Sequence, residues 1–141
     1  MNSDVEDETT PPFVGPHDGR ELELMLEGKK PLSMFSVDDA VEYENYPDKR
    51  FDALTSEGRF VKEVSIGKLM LVNGVEMRTR RILYATASEA WRIPAMLMIQ
   101  DIYAPLTPGR RPDLERAIGW LLGYDRSDVE LYVEWLAKRY D

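Results

Sequence analysis

The 141-residue chain contains no cysteine and one histidine, His17. The first absence excludes disulfides and thiolate metal sites, and leaves a cytoplasmic location as the default expectation. The second excludes a multi-histidine metal centre within one chain. No apolar run approaches the ~20 residues that a membrane helix needs, so no membrane partner is expected. The opening MNSDVEDETT is acidic and has no basic segment leading into an apolar one, so it does not read as a secretory signal. Glycine-rich phosphate loops, nucleotide fingerprints and nucleophile elbows are all missing, and nothing in the sequence calls for a cofactor.

These absences leave carboxylates as the remaining source of enzyme chemistry. Asp38, Asp39, Glu42 and Glu44 crowd together, as do Asp18, Glu21 and Glu23 beside His17. Paired carboxylates can split their pKa values or hold a hard cation. A chain with 26 acids produces such crowding on an ordinary solvated surface, so the enzyme reading ranks third and the chain leans away from catalysis.

What is present suits one domain with a sizeable core: 43% hydrophobic and 31% charged residues. The net charge of −8 is uneven. Residues 1–58 carry 5 Lys/Arg against 15 Asp/Glu, residues 59–116 carry 10 against 6, and residues 117–141 carry 3 against 5. An acidic front half therefore precedes a mildly basic middle. Bulk acidity opposes non-specific adhesion to nucleic acid or anionic membranes.

Ser65 to Ala85 organises the rest. Asn73-Gly74 between two alternating runs is a strong hairpin signal, because both centres of the tight mirror-image turn need positive φ. That turn sets Val72 against Val75, Met70 against Met77 and Lys68 against Thr79 on one side. Leu71/Glu76, Leu69/Arg78 and Gly67/Arg80 fall on the other. Beyond Arg81 the phase changes, with Ile82 and Tyr84 taking the parity of the arginines; this predicts a bulge or a strand buried on both faces.

Residues 1–16, acidic and proline-bearing, read as a disordered arm, and residues 17–141 as a single domain. Asp18 and Glu21 form a capping-box pattern for a helix ending at Gly28, and Leu32–Val37 reads as a strand. Residues 44–58 read mostly as loop with a helical turn at Phe51–Leu54. A buried helix is expected over Pro94–Tyr103, with Pro at its first position. Two amphipathic helices close the chain: one opens at Pro112 and ends at Gly123, the other is capped by Ser127 and Glu130. The fold class is α+β: a small antiparallel sheet built on a central β-hairpin (about 59–86), packed by helices, with a C-terminal αα pair.

That pair, with Ala117, Ile118, Leu121, Leu122, Gly123, Ser127, Val129 and Val133 in place, resembles the general helix-turn-helix pattern of DNA-binding proteins. The likeness covers about 20 residues, and any tight αα pair needs the same residue types. Asp128, Glu130 and Glu134 on the second helix would repel phosphates, so a structural helix pair is the preferred reading.

Two groups carry the binding expectations. Arg78, Arg80, Arg81 and Arg92, with Tyr84 and Trp91 nearby, offer guanidinium forks and aromatic faces suited to phosphate, carboxylate or base recognition. The alternative is arginines paired with the chain's own acids. Trp120 and Trp135 lie off the apolar stripes of their helices, as anchors of a partner interface would, or as a second buried face. Met70, Met77, Met96 and Met98 read as core filler. The leading expectation is a non-enzymatic binding or regulatory protein working through a protein–protein interface, by class compatible with an inhibitor or immunity-type role, with a homodimer as one arrangement. An anion- or nucleic-acid-binding module using the arginine ribbon comes second.

Overall fold

A computed structural model of the protein describes residues 17–103 and 110–139. The acidic arm expected at 1–16 lies outside the described residues, as does most of the proline-rich loop after Tyr103.

Three strands form the central sheet: β1 (Leu32–Asp38), β2 (Phe60–Ile66) and β5 (Thr79–Thr86), in the order β1-β5-β2 with both pairings antiparallel. The sequence TRRILYAT fits the middle place. Its β-branched and aromatic residues suit a pleat covered on both sides, and Ile82, Leu83, Tyr84 and Ala85 are all buried. The phase change after Arg81 is thus a strand entering a two-sided core.

Opposed residues in the pairing share a face, which sorts the core into two layers. On one face Ile82 and Tyr84 join Phe35, Val37 and Phe60 beneath α1 (Glu21–Leu26) and α2 (Arg50–Ser56), through Leu22, Met25 and Phe51. On the other, Leu83 and Ala85 join Leu32 beneath α3 (Arg92–Tyr103) and α4 (Pro112–Leu122), through Ile93, Met96 and Leu121. Leu83, with no exposure, is a core position where truncation to Ala costs about 2–5 kcal/mol. Helix α5 (Arg126–Arg139) packs on α4.

The hairpin continues past the sheet as a two-stranded ribbon, β3 (Met70–Val72) and β4 (Val75–Met77). Its turn is the expected one: Asn73 has φ 50° and Gly74 φ 80°, and Val72/Val75, Leu71/Glu76 and Met70/Met77 face each other. The expected register fails beyond Met70. Ile66 pairs with Arg80, so residues 67–69 hold one residue more than their counterpart, and the Gly67/Arg80 and Lys68/Thr79 pairings do not form. The extra residue makes a bulge in the first strand rather than after Arg81. Gly67 marks it, its N–H donating to the Thr79 carbonyl at 2.8 Å.

Helix boundaries moved where local capping signals met tertiary demands. The first helix starts at Glu21, not Asp18, and Glu21 Oε1 accepts from the Gly19 N–H at 2.7 Å. The expected loop at 44–58 contains the two-turn helix α2, held by Phe51 in the core. Helix α3 begins at Arg92, two residues before Pro94, after a 3-10 turn at Ala87–Glu89. Pro94 still lies in the first turn, where no N–H is required. Helix α5 begins at Arg126, so Ser127 lies inside it and does not cap. Helix α4 ends as expected at Gly123, φ 82°, with the Tyr124 N–H reaching the Gly119 carbonyl at 3.0 Å.

Candidate functional site

The ribbon is the least covered part of the described chain. Leu69, Met70, Leu71, Val72 and Val75 are exposed, Leu71 to 72%. They lie on both faces of β3–β4, so neither face rests on the body. Among the described residues both outer edges also carry unpaired backbone groups, since the ribbon has only two strands. The core-filler reading of the methionines therefore holds for Met96, which is fully buried, and fails for Met70 and Met98, both more than half exposed. Periodicity shows which side chains share a face. It does not show whether anything covers that face, and Leu69 and Leu71 were missed as site residues for this reason.

At the base of the ribbon acids and bases meet, with Asp38 and Asp39 beside Arg78 and Arg80. The Asp39 N–H donates to the Arg78 carbonyl at 2.9 Å, tying the end of β1 to the ribbon. Glu42 and Glu44 follow on the exposed connection from β1 to α2. Arg80 pairs with Asp39 at 3.5 Å. Arg81 lies across the sheet from Arg80 and approaches Asp101 at 4.0 Å. Arg78 is exposed and forms no ion pair among the described residues. The arginine group is thus split between opposite faces, and most of its charge faces the chain's own acids.

Tyr84 leaves the group altogether. Its ring is buried against Phe51, with centroids 4.7 Å apart. Its hydroxyl donates to Asp52 Oδ1 at 2.8 Å, an oxygen that also accepts from Lys62 at 2.8 Å. Burial first, then the bond to Asp52, holds the Tyr84 phenol above its usual pKa. The Lys62 and Tyr84 bonds hold Asp52 below the usual carboxylate range despite some burial.

The remaining members meet. Trp91 and Trp120 lie 5.8 Å apart between ring centroids, and the Arg92 guanidinium sits over both, at 4.8 and 4.6 Å. Arg92 Nε donates to Glu89 at 2.9 Å, and Nη1 donates to the Trp120 and Leu121 carbonyls at 3.1 and 3.2 Å. The guanidinium is consumed as a brace for the end of α4. What it leaves outward is two tryptophan faces, 49% and 59% exposed. The expectation that Trp120 is exposed holds, and Trp91 joins it. Trp135 does not enter this group. It is half-buried on α5, where it stacks on Tyr132 and carries Arg139 over its ring at 5.2 Å.

Among the described residues, no group of three or more histidines or acids is placed to hold a metal ion. No helix among them is long and apolar enough to cross a membrane. The class that fold and surface define is an α+β domain carrying an apolar β-ribbon and an exposed tryptophan pair. No family model matches the chain, and comparison with curated proteins and with solved structures returns no significant match.

Proposed function

We propose that this protein is a non-enzymatic binding protein whose partner is another protein, engaged through the β3–β4 ribbon. The observation that carries the reading is the apolar exposure of both ribbon faces at Leu69–Val72 and Val75. Bare apolar surface is disfavoured by about 25 cal/mol per Å², so a contiguous patch of this kind is a recurrent sign of an interaction surface. The open edges add backbone donors and acceptors that a partner strand can complete. The acid surplus of residues 1–58 and a net charge of −8 favour a partner whose apolar groove has a basic rim. They disfavour a second copy, which brings the same charge and covers one ribbon face while leaving the other bare.

Anion binding by the arginines has less support, because Arg80, Arg81 and Arg92 each have an acid of the same chain as neighbour. The test compares the wild-type chain with a Leu71→Glu/Val75→Glu variant. Both positions are exposed, so the thermal midpoint should stay within a few degrees of wild type. Proteins captured from the native cell by the wild type should be lost by the variant. An identical captured set for both would defeat the ribbon reading. Light scattering that showed a concentration-dependent dimer abolished by the variant would replace the heterologous partner with a second copy.

A further inference from the structure

Away from the ribbon, a cleft of about 530 Å³ opens between α1, the loop before α2 and the end of α4. At one side of it lies Lys30, only 3% exposed. Its Nζ is 2.6 Å from the Leu122 carbonyl and 2.8 Å from His17 Nδ1, and it lies 4.9 Å from the centre of the Tyr124 ring. His17 and Tyr124 stack at 3.9 Å. Leu122, His17 and Tyr124 all line the cleft, so the amine nitrogen sits at its wall.

As an ammonium the nitrogen is held by two acceptors and by the Tyr124 ring. Burial makes its proton easier to lose, pushing Lys30 down to about 8 against the opposing pull of Glu21 and Asp18. Near pH 8 a neutral amine with a lone pair is therefore present at the wall of the cleft beside the protonated form. His17, depressed to about 4 by burial and then by the charge of protonated Lys30, is neutral, and in the tautomer with its proton on Nε2 its Nδ1 accepts from Nζ. A desolvated lysine that loses its proton this readily is a nucleophile in its neutral form.

We propose that Lys30 is a carbonyl-reactive amine, and that the cleft admits a small uncharged aldehyde which condenses with it to form an imine. The rest of the lining selects the class. Tyr46, Phe35 and Tyr124 offer apolar and aromatic surface. Asp18, Glu21 and Glu23 repel an anionic aldehyde, and Arg50, the nearby guanidinium, is bound to Asp48 at 2.7 Å.

The chemistry balances without a co-reactant. The Nζ lone pair attacks the carbonyl carbon, a C–N bond forms and the C=O π pair moves to oxygen. Both amine protons end on that oxygen, which departs as one water while the C=N bond forms. His17 Nδ1, already 2.8 Å from Nζ, is placed to carry these protons one at a time. Nothing is oxidised or reduced.

The full chain, incubated at pH 8 with benzaldehyde and sodium cyanoborohydride, tests this by peptide mass spectrometry. Lys30 should be alkylated at least tenfold faster than its exposed neighbour Lys29, and faster than with anionic pyridoxal phosphate as the aldehyde. His17→Asn, with an unchanged melting profile, should slow Lys30 labelling while leaving Lys29 labelling alone. Labelling of Lys30 no faster than Lys29 would overturn the proposal and reduce Lys30 to a structural cap on α4. Faster labelling by pyridoxal phosphate would overturn the assignment to uncharged aldehydes.

Discussion

Arg92 stacks on the Trp120 ring at 4.6 Å while donating to the Trp120 carbonyl at 3.1 Å, so one side chain holds both the backbone and the indole of the same residue. Its side chain is 12% exposed. The brace joins the start of α3 to the end of α4, whose last carbonyls have no partner within the helix. Arg92→Ala should therefore destabilise the domain by about 2 kcal/mol, combining lost charge-assisted bonds and a lost cation–π contact. Arg92→Lys should recover little, since an ammonium cannot span Glu89 and two carbonyls at once. Urea titration followed by circular dichroism measures the cost. Tryptophan fluorescence should change as Trp91 and Trp120 lose their shared cation. A loss below ~0.5 kcal/mol for Arg92→Ala would mean the contacts contribute little.

The turn of the ribbon makes a local prediction. A Cβ at Gly74 would meet nothing within 4 Å, so substitution is opposed only by its φ of 80°. Gly74→Val should cost the hairpin about 1–2 kcal/mol. Because β3–β4 stands off the sheet, amide exchange should rise across residues 70–77 and stay unchanged in β1, β2 and β5. Equal loss of protection in the central sheet would show that the ribbon and sheet form one cooperative unit.

Lys30 and His17 give stability a pH dependence with a defined sign. Lys30 has a folded pKa of about 8, below the usual 10.5, so above pH 8 the unfolded chain binds the proton that the folded chain has released. Stability therefore rises with pH in that window and levels off beyond 10.5. His17 behaves alike: its pKa of about 4 lies below the usual 6.5, and its contribution is lost as pH falls from 6.5 to 4. Other lysines and tyrosines also titrate at high pH, so the comparison must be with Lys30→Met. Relative to that variant, the wild type should gain about 2 kcal/mol between pH 7 and pH 10. Parallel pH profiles for the two proteins would contradict a buried, depressed Lys30.

Local chemistry was legible in the chain wherever one residue type is nearly obligatory. Asn73-Gly74 announced positive φ, Gly123 announced the end of α4, and both are as the sequence implied. The parity of Ile82 and Tyr84 against the arginines pointed to the two-sided burial of β5. Features made by residues far apart in the chain were not legible. Lys30 meets Leu122, 92 positions on, and Arg92 meets Trp120 across 28. A lysine beside Lys29 and Pro31 carries no sign that it will be buried. The arginine group looked coherent because its members are close in sequence. Alternation along β5 sends Arg80 and Arg81 to opposite faces, where different acids meet them.

The contact between α4 and α5 sets two known effects against each other at one position. Gly119 lies inside α4, and replacing a helical glycine by alanine ordinarily stabilises by about 1 kcal/mol. Here a Cβ would lie 2.5 Å from Val129 Cγ2 and 3.2 Å from Cγ1. Val129 is buried and β-branched, so its side chain has little freedom to withdraw. Overpacking of this kind costs about 1–3 kcal/mol, which outweighs the propensity gain. Gly119→Ala should therefore be net destabilising, by about 1 kcal/mol. Val129→Ala alone should also destabilise, by leaving a cavity between the helices. In the double variant the new methyl occupies the space that the valine vacates. Its stability should exceed the sum of the single effects by about 1 kcal/mol or more, the signature of two residues in direct contact. Simple additivity in that cycle, or a stabilising Gly119→Ala, would mean that α4 and α5 sit further apart than the Gly119–Val129 geometry requires.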